Sequence, residues 1–201
     1  GKTMAENLQK AEVFTREVIR PRTDPVHPYG GIAVLRGNLA ERGAVIKQVA
    51  VKKELWNFSG EARVFNSEEE ASAGLGKGQI QKGDVLVIRY QGPTGGPGMR
   101  EMALFRLALE FAGMGQTNYI VTDGRFSGYS EGPSIGYLSP EAAEGGTIAL
   151  VKDGDMIEID IEKRILELKV SDNELKLRRE KLIHPSPKYP KGYLDIYAKL
   201  V

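Results

Sequence analysis

Two short segments carry most of the residues able to do chemistry: Gly92-Pro93-Thr94-Gly95-Gly96-Pro97-Gly98-Met99-Arg100-Glu101, and Thr122-Asp123-Gly124-Arg125-Phe126-Ser127-Gly128. The first ends in a carboxylate and the second carries a hydroxyl near its end. Glu101, at the rim of a loop, is an oxygen donor of the kind magnesium takes. Ser127 is a poor base or nucleophile by itself and needs an adjacent base or a metal. Its loop contains no histidine, so a metal or the field of Arg125 is the source of activation. Four glycines and two prolines within residues 92–98 make a backbone shaped for close approach by a ligand or another chain. Gly95, Gly96, Pro97 and Gly98, with Asp123 and Arg125, are therefore the candidate substrate-loop positions. A plainer reading of Glu101 is a charge in the first turn of a helix, worth ~0.3–1 kcal/mol against the dipole. A phosphate cradle fits poorly, because the loop lacks both the Lys-Ser/Thr ending of a P-loop and G-x-G-x-x-G spacing.

Each segment follows an apolar run that reads as a buried strand, Val85-Leu86-Val87-Ile88 and Tyr119-Ile120-Val121. Residues 101–111 between them read as one helix. A strand, crossover helix and parallel strand wind right-handed almost without exception, so both strands end at one edge. Ligands of open α/β sheets sit outside such carboxyl ends.

Around this unit, Thr3 with Glu6 forms a capping box for a helix over 4–20, and the prolines of 21–31 make an extended connection. Residues 32–39 and 44–49 read as strands and 63–65 as a short one. Ser67 caps a helix opened by Glu68, Glu69 and Glu70. Ser139-Pro140-Glu141 reads as a helix start ended by Gly145-Gly146. Residues 148–151 read as a strand, and 156–161 with 165–170 as a hairpin. A charged helix over 172–183 presents Lys176, Arg178, Arg179 and Lys181 as a solvated face, and 193–200 is a final helix. Trp56, beside Phe58, packs under a loop. His27 and His184, each followed by proline, are exposed structural residues and not a metal pair. The composite is a mixed α/β domain with much β structure, curled into a barrel-like form.

The chain has 201 residues, 41% of them hydrophobic, enough for a sizeable core. Lys and Arg number 28 against 27 Asp and Glu, which argues against broad nucleic-acid or membrane binding. Cysteine is absent, so no disulfide, thiolate metal site or iron–sulfur cluster arises from this chain alone. No apolar run approaches the ~20 residues of a membrane span. A cytoplasmic protein is expected, and a chain opening on Gly1 rather than Met reads as beginning inside a longer one.

At the two loops, the chain resembles the dihydroxyacid dehydratase/phosphogluconate dehydratase family, in its C-terminal half. The matching residues include Gly30-Gly31-Ile32-Ala33-Val34-Leu35-Arg36-Gly37-Asn38-Leu39-Ala40, Gly43-Ala44-Val45-Ile46-Lys47, Gly95-Gly96-Pro97-Gly98-Met99 with Glu101, residues 122–128, and Ser139-Pro140-Glu141-Ala142-Ala143-Glu144-Gly145-Gly146. The resemblance implies a swivelling β/β/α domain, its mixed barrel-like sheet flanked by helices. It implies a hydro-lyase turning a 2,3-dihydroxy acid into a 2-keto acid. Glu101 matches a magnesium ligand and Ser127 the proposed base. The remaining magnesium ligands, and the cysteines of an iron–sulfur cluster, belong to an N-terminal half, so that missing domain is the expected partner; a homodimer or larger is expected of the full-length enzyme. Residues 1–28 then form a helix and linker from the missing half, and 29–201 the catalytic half-domain.

The sequence departs from the family pattern at Arg100, where proline is usual. It also departs at Tyr129-Ser130-Glu131-Gly132, where an arginine is common, and at Tyr137, which replaces a histidine. A branched-chain amino acid precursor is the first substrate choice and a sugar acid the second. A non-catalytic regulatory or assembly domain is the competing class.

Overall fold

The computed structural model describes residues 1–128 and 130–201. It separates into two compact units, residues 1–30 and residues 31–201. The first unit holds one helix, α1 (Met4–Leu8), closed by the expected capping box: Glu6 N–H donates to Thr3 Oγ1 at 3.3 Å, and Thr3 N–H to Glu6 at 2.7 Å. The helix stops at Leu8, far short of residue 20. It buries no residue, and five residues without packing support only a marginal helix.

The second unit is a closed eight-stranded barrel in the order β1-β2-β6-β5-β4-β3-β7-β8. The strands are β1 (Ala33–Gly37), β2 (Ala40–Ile46), β3 (Asn57–Phe65), β4 (Val85–Ile88), β5 (Tyr119–Thr122), β6 (Ser134–Ser139), β7 (Met156–Asp160) and β8 (Ile165–Leu168). The helices of this unit are α2 (Glu68–Gly76), α3 (Ala103–Phe111), α4 (Asp172–Glu180) and α5 (Tyr193–Ala198). The expected mixed, barrel-like α/β fold is what forms. β3, β4, β5 and β6 run parallel, whereas β1–β2, β2–β6, β3–β7 and β7–β8 are antiparallel.

Alternation within β4 explains its unbroken apolar run. Val85 and Val87 point into the barrel with Tyr119, Val121, Ile135 and Ile159. Leu86 and Ile88 face a second core with Ile120, Phe105 and Leu109, where α3 packs. Strands covered on both faces read as continuous hydrophobic stretches. The pairing Ile88↔Thr122 leaves the loops after β4 and β5 at one edge of the barrel, and that places the site.

Several local readings change. Residues 134–139 form β6, where no strand is expected from the sequence, and β3 begins six residues before the predicted 63–65 segment. Ser139-Pro140-Glu141 does not open an α-helix. Ser139 ends β6, and only a 3₁₀ turn, Ala142–Glu144, follows. The backbone donors that an α-helix start would leave free are drawn to tertiary partners: Ala142 N–H donates to Asp123 at 2.9 Å. Residues 148–151 are not a strand but mostly a buried 3₁₀ turn, Thr147–Leu150, since a short apolar run alone does not fix its own geometry. The α4 face is not wholly solvated. Arg178 lies nearly buried against Asp155 and Glu174 and donates to the Leu150 carbonyl at 3.0 Å. Trp56 and Phe58 pack, half-buried, against the barrel core.

Candidate active site

Two loops build the site, one from β4 to α3 and one from β5 to β6. Asp123 ties their roots together. It is almost fully buried, and its carboxylate accepts from the backbone N–H groups of Tyr90 (3.1 Å), Gln91 (2.8 Å) and Ala142 (2.9 Å). Burial pushes its pKa up to about 6, a rise that the three N–H donors oppose and the nearby Glu141 charge reinforces. The carboxylate is thus a knot joining three chain segments.

The glycine loop is packed, not open as its composition suggested. Glu141, itself buried, accepts from Thr94 N–H and Gly95 N–H, each at 2.8 Å. A Cβ on Gly92 would stand 2.6 Å from the Glu141 carboxylate, and one on Gly96 would stand 2.8 Å from Gln91 Cα. The donors of the phosphate-cradle reading are therefore already engaged by the chain's own carboxylate. Gly96 N–H donates to the Gly92 carbonyl at 2.8 Å, and Pro97 is buried. Gly98 differs: it is exposed at φ +90°, with nothing near a Cβ. Tyr90 and Met99, at φ 60° and 46°, are non-glycine residues in the left-handed region at the two ends of this loop.

Glu101 does not lie in the first turn of a helix. Met102 is the cap of α3, and Glu101 sits before it in a short bridge to Arg125. Met102 N–H donates to the Arg125 carbonyl at 3.2 Å, and Arg125 Nε donates back to the Met99 carbonyl at 2.5 Å. This zipping of the two loops brings the carboxylate and the hydroxyl-bearing residue together: Ser127 N–H donates to Glu101 Oε1 at 3.1 Å. Both residues are half-buried. Arg125, exposed, commits its Nε to the loop backbone.

Ser127 also edges a cavity of about 390 Å³ on the outer face of β2 and β6, walled by Ile32, Val45, Val49 and Phe126. Gly136 forms part of its floor, and a Cβ there would stand 3.0 Å from the Phe126 ring. Tyr137, at a position where the resemblance suggested histidine, holds the second loop from β6. Its N–H donates to the Gly124 carbonyl at 2.7 Å and its hydroxyl to the Phe126 carbonyl at 3.3 Å. Arg100 pairs with Glu69 and Glu68 of α2. Tyr129 lies outside the described residues.

The structure thus joins Glu101, Ser127 and Arg125 at one loop junction and sends Asp123, Gly95 and Gly96 into its foundations. Sequence reasoning passed over Glu141 as a helix-start acid and Lys47 as one residue of the expected 44–49 strand. The available signal for Lys47 was alternation, since Ala44 and Ile46 face the barrel core and Val45 and Lys47 the other side.

Over residues 17–201 the chain matches the family model described as dihydroxy-acid/6-phosphogluconate dehydratase C-terminal. It belongs to that family. A dihydroxy-acid dehydratase of Ignicoccus hospitalis is 54% identical over 200 residues, covering 100% of this chain and 36% of the relative. Those of Caldanaerobacter subterraneus and Moorella thermoacetica are 52% and 54% identical over 201 residues, again with 36% of the relative covered. The chain therefore spans about a third of the length of the curated relatives it matches. Within this dehydratase domain, no group of three or more His, Cys, Asp or Glu is placed to hold a metal among the described residues. No described helix is long and apolar enough to cross a membrane.

Proposed function

We propose that this domain supplies one wall of the active site of a hydro-lyase that converts a 2,3-dihydroxy acid to a 2-keto acid. The preferred substrate is a branched-chain precursor of amino acid biosynthesis. The observation that carries the reading is the Glu101–Ser127 junction, a carboxylate and a hydroxyl-bearing residue sharing one hydrogen bond at the rim of the barrel. The apolar walls of the adjoining cavity favour an aliphatic acid over a polyhydroxylated one.

Glu101 suits one position in a magnesium coordination set. It is half-buried, it forms no ion pair among the described residues, and one of its oxygens accepts a backbone N–H. The other ligands would come from the region that the relatives carry beyond this domain. When bound, the ion would polarise oxygens of the substrate and stabilise the negative charge that develops beside its carboxylate. An iron–sulfur cluster finds no cysteine ligand here, since the chain has none, and no step is assigned to one.

In this reading Ser127 Oγ takes the proton from C2 of the acid, and Glu101 orients the group that receives the charge. The C3 hydroxyl then leaves as water with the proton that ionised Ser127 Oγ took from C2, and the resulting enol becomes the keto acid by moving its hydroxyl proton to C3. The loop geometry keeps Ser127 at the rim, where an acid bound between domains reaches it.

The test joins this chain to the preceding region of a relative and follows keto acid release. Ser127→Ala and Glu101→Gln are expected to lower kcat by ~10²-fold or more. A joined protein that turns over at the parental rate with Ser127→Ala removes the base assignment. One that folds and binds the acid but never turns over favours the regulatory-domain class.

A further inference from the structure

The Ser127–Gly128 tip is gripped from two sides by opposite charges. On one side Ser127 N–H donates to Glu101 Oε1 at 3.1 Å. On the other, Lys47 Nζ donates to the Gly128 carbonyl at 2.6 Å. Lys47 directly follows the last residue of β2, so its backbone is held at the end of a barrel strand and belongs to neither loop. Its stem lines the same cavity that Ser127 edges, and it is the only charged residue among the described ones lining that cavity. It makes no ion pair among the described residues, although it is half-buried. An ammonium held by a carbonyl is a charge-assisted donor committed to a backbone acceptor.

We infer that Lys47 is a positioning residue for Ser127, anchoring the tip to the barrel wall. The inference rests on the reading of Ser127 as the group that meets the substrate. Under that reading Glu101 has a second task as a cation ligand and is not free to act as a tether alone. Lys47 has no second task. Two further tip contacts among the described residues are a turn closed by Ser130 N–H to the Ser127 carbonyl at 3.2 Å and the Tyr137 hydroxyl on the Phe126 carbonyl at 3.3 Å. Neither ties Gly128 itself to the sheet. Displacement of a reacting group by ~1 Å costs about 10²-fold in rate, so loss of this anchor should appear in turnover before it appears in stability.

The experiment uses the chain joined to the preceding region of a relative. Lys47→Met keeps the stem against the cavity wall and removes the donor, whereas Lys47→Arg restores one. The Met variant is expected to lose ~10–100-fold in kcat with KM changed less than ~3-fold, and the Arg variant to recover most of the loss. Amide exchange at Ser127, Gly128 and Ser130 should accelerate in the Met variant, with Tm unchanged to within a few degrees. Unchanged exchange at those amides overturns the proposal. So does a Met variant within about twofold of the parental kcat when Ser127→Ala is inactive. If Ser127→Ala keeps full activity, the base reading falls separately, and exchange at the tip alone then decides whether Lys47 is its anchor.

Discussion

Replacing Asp123 by asparagine removes a titrating group while nearly preserving its shape, and the stability of the two proteins should diverge with pH in a calculable way. Burial raises the Asp123 pKa from 3.8 to about 6. The native state therefore holds a proton in a range where the unfolded chain has released it. With more protons bound when folded, the unfolding free energy falls as pH rises between those two values. This contribution is fully present below pH 3.8 and lost once pH passes about 6. The gap corresponds to about 3 kcal/mol at 1.36 kcal/mol per tenfold change in proton affinity. The amide side chain of the variant makes no such contribution. Urea unfolding followed through the single tryptophan, Trp56, at several pH values from about 4 to 7.5 gives the difference between the two proteins, in which all other titrations cancel. That difference should move by about 2–3 kcal/mol in favour of the parent toward acid. Parallel stability curves would show that the three backbone donors fully offset burial, and would refute the reasoning.

Other consequences follow from the same foundations. Glu141→Ala strands the Thr94 and Gly95 N–H donors and should cost ~2–4 kcal/mol, with faster amide exchange confined to the glycine loop. Gly96→Ala sets a Cβ against the Gln91 backbone and should destabilise by more than ~2 kcal/mol. Gly98→Ala meets only its φ of +90° and should cost ~1–2 kcal/mol, so equal thermal shifts for the pair would contradict the packed-loop description. Arg178→Ala leaves Asp155 nearly buried without its partner and should cost ~3 kcal/mol in denaturant unfolding, well above Arg179→Ala.

The buried strands and the two loops were legible because their signals are local. Val85-Leu86-Val87-Ile88 is apolar at every position, and parallel strands covered on both faces have to be. Thr3 with Glu6 and Ser67 with Glu70 place helix starts by side chains three residues apart, and both form. What the sequence hid depends on distant partners. Ser139-Pro140-Glu141 carries every local mark of a helix start, yet Glu141 is drawn into a loop 46 residues away. The glycines of 92–98 could serve an incoming ligand or an intruding carboxylate from the same chain, and composition does not separate these. Glu101 was displaced from the helix because pairing with Arg125 holds its backbone in a bridge. Helix periodicity over 4–20 overreached, since spacing without a packing partner does not sustain a helix.

The central claim is that Glu101 and Ser127 face one site completed by protein outside this domain. It is tested most directly by a crystal structure of the joined protein grown with manganese in place of magnesium. The account predicts an anomalous peak ~2.1 Å from a Glu101 carboxylate oxygen, with Ser127 Oγ turned toward the same hollow. Manganese bound elsewhere, with Glu101 or Ser127 turned away from the cleft between the domains, would contradict it.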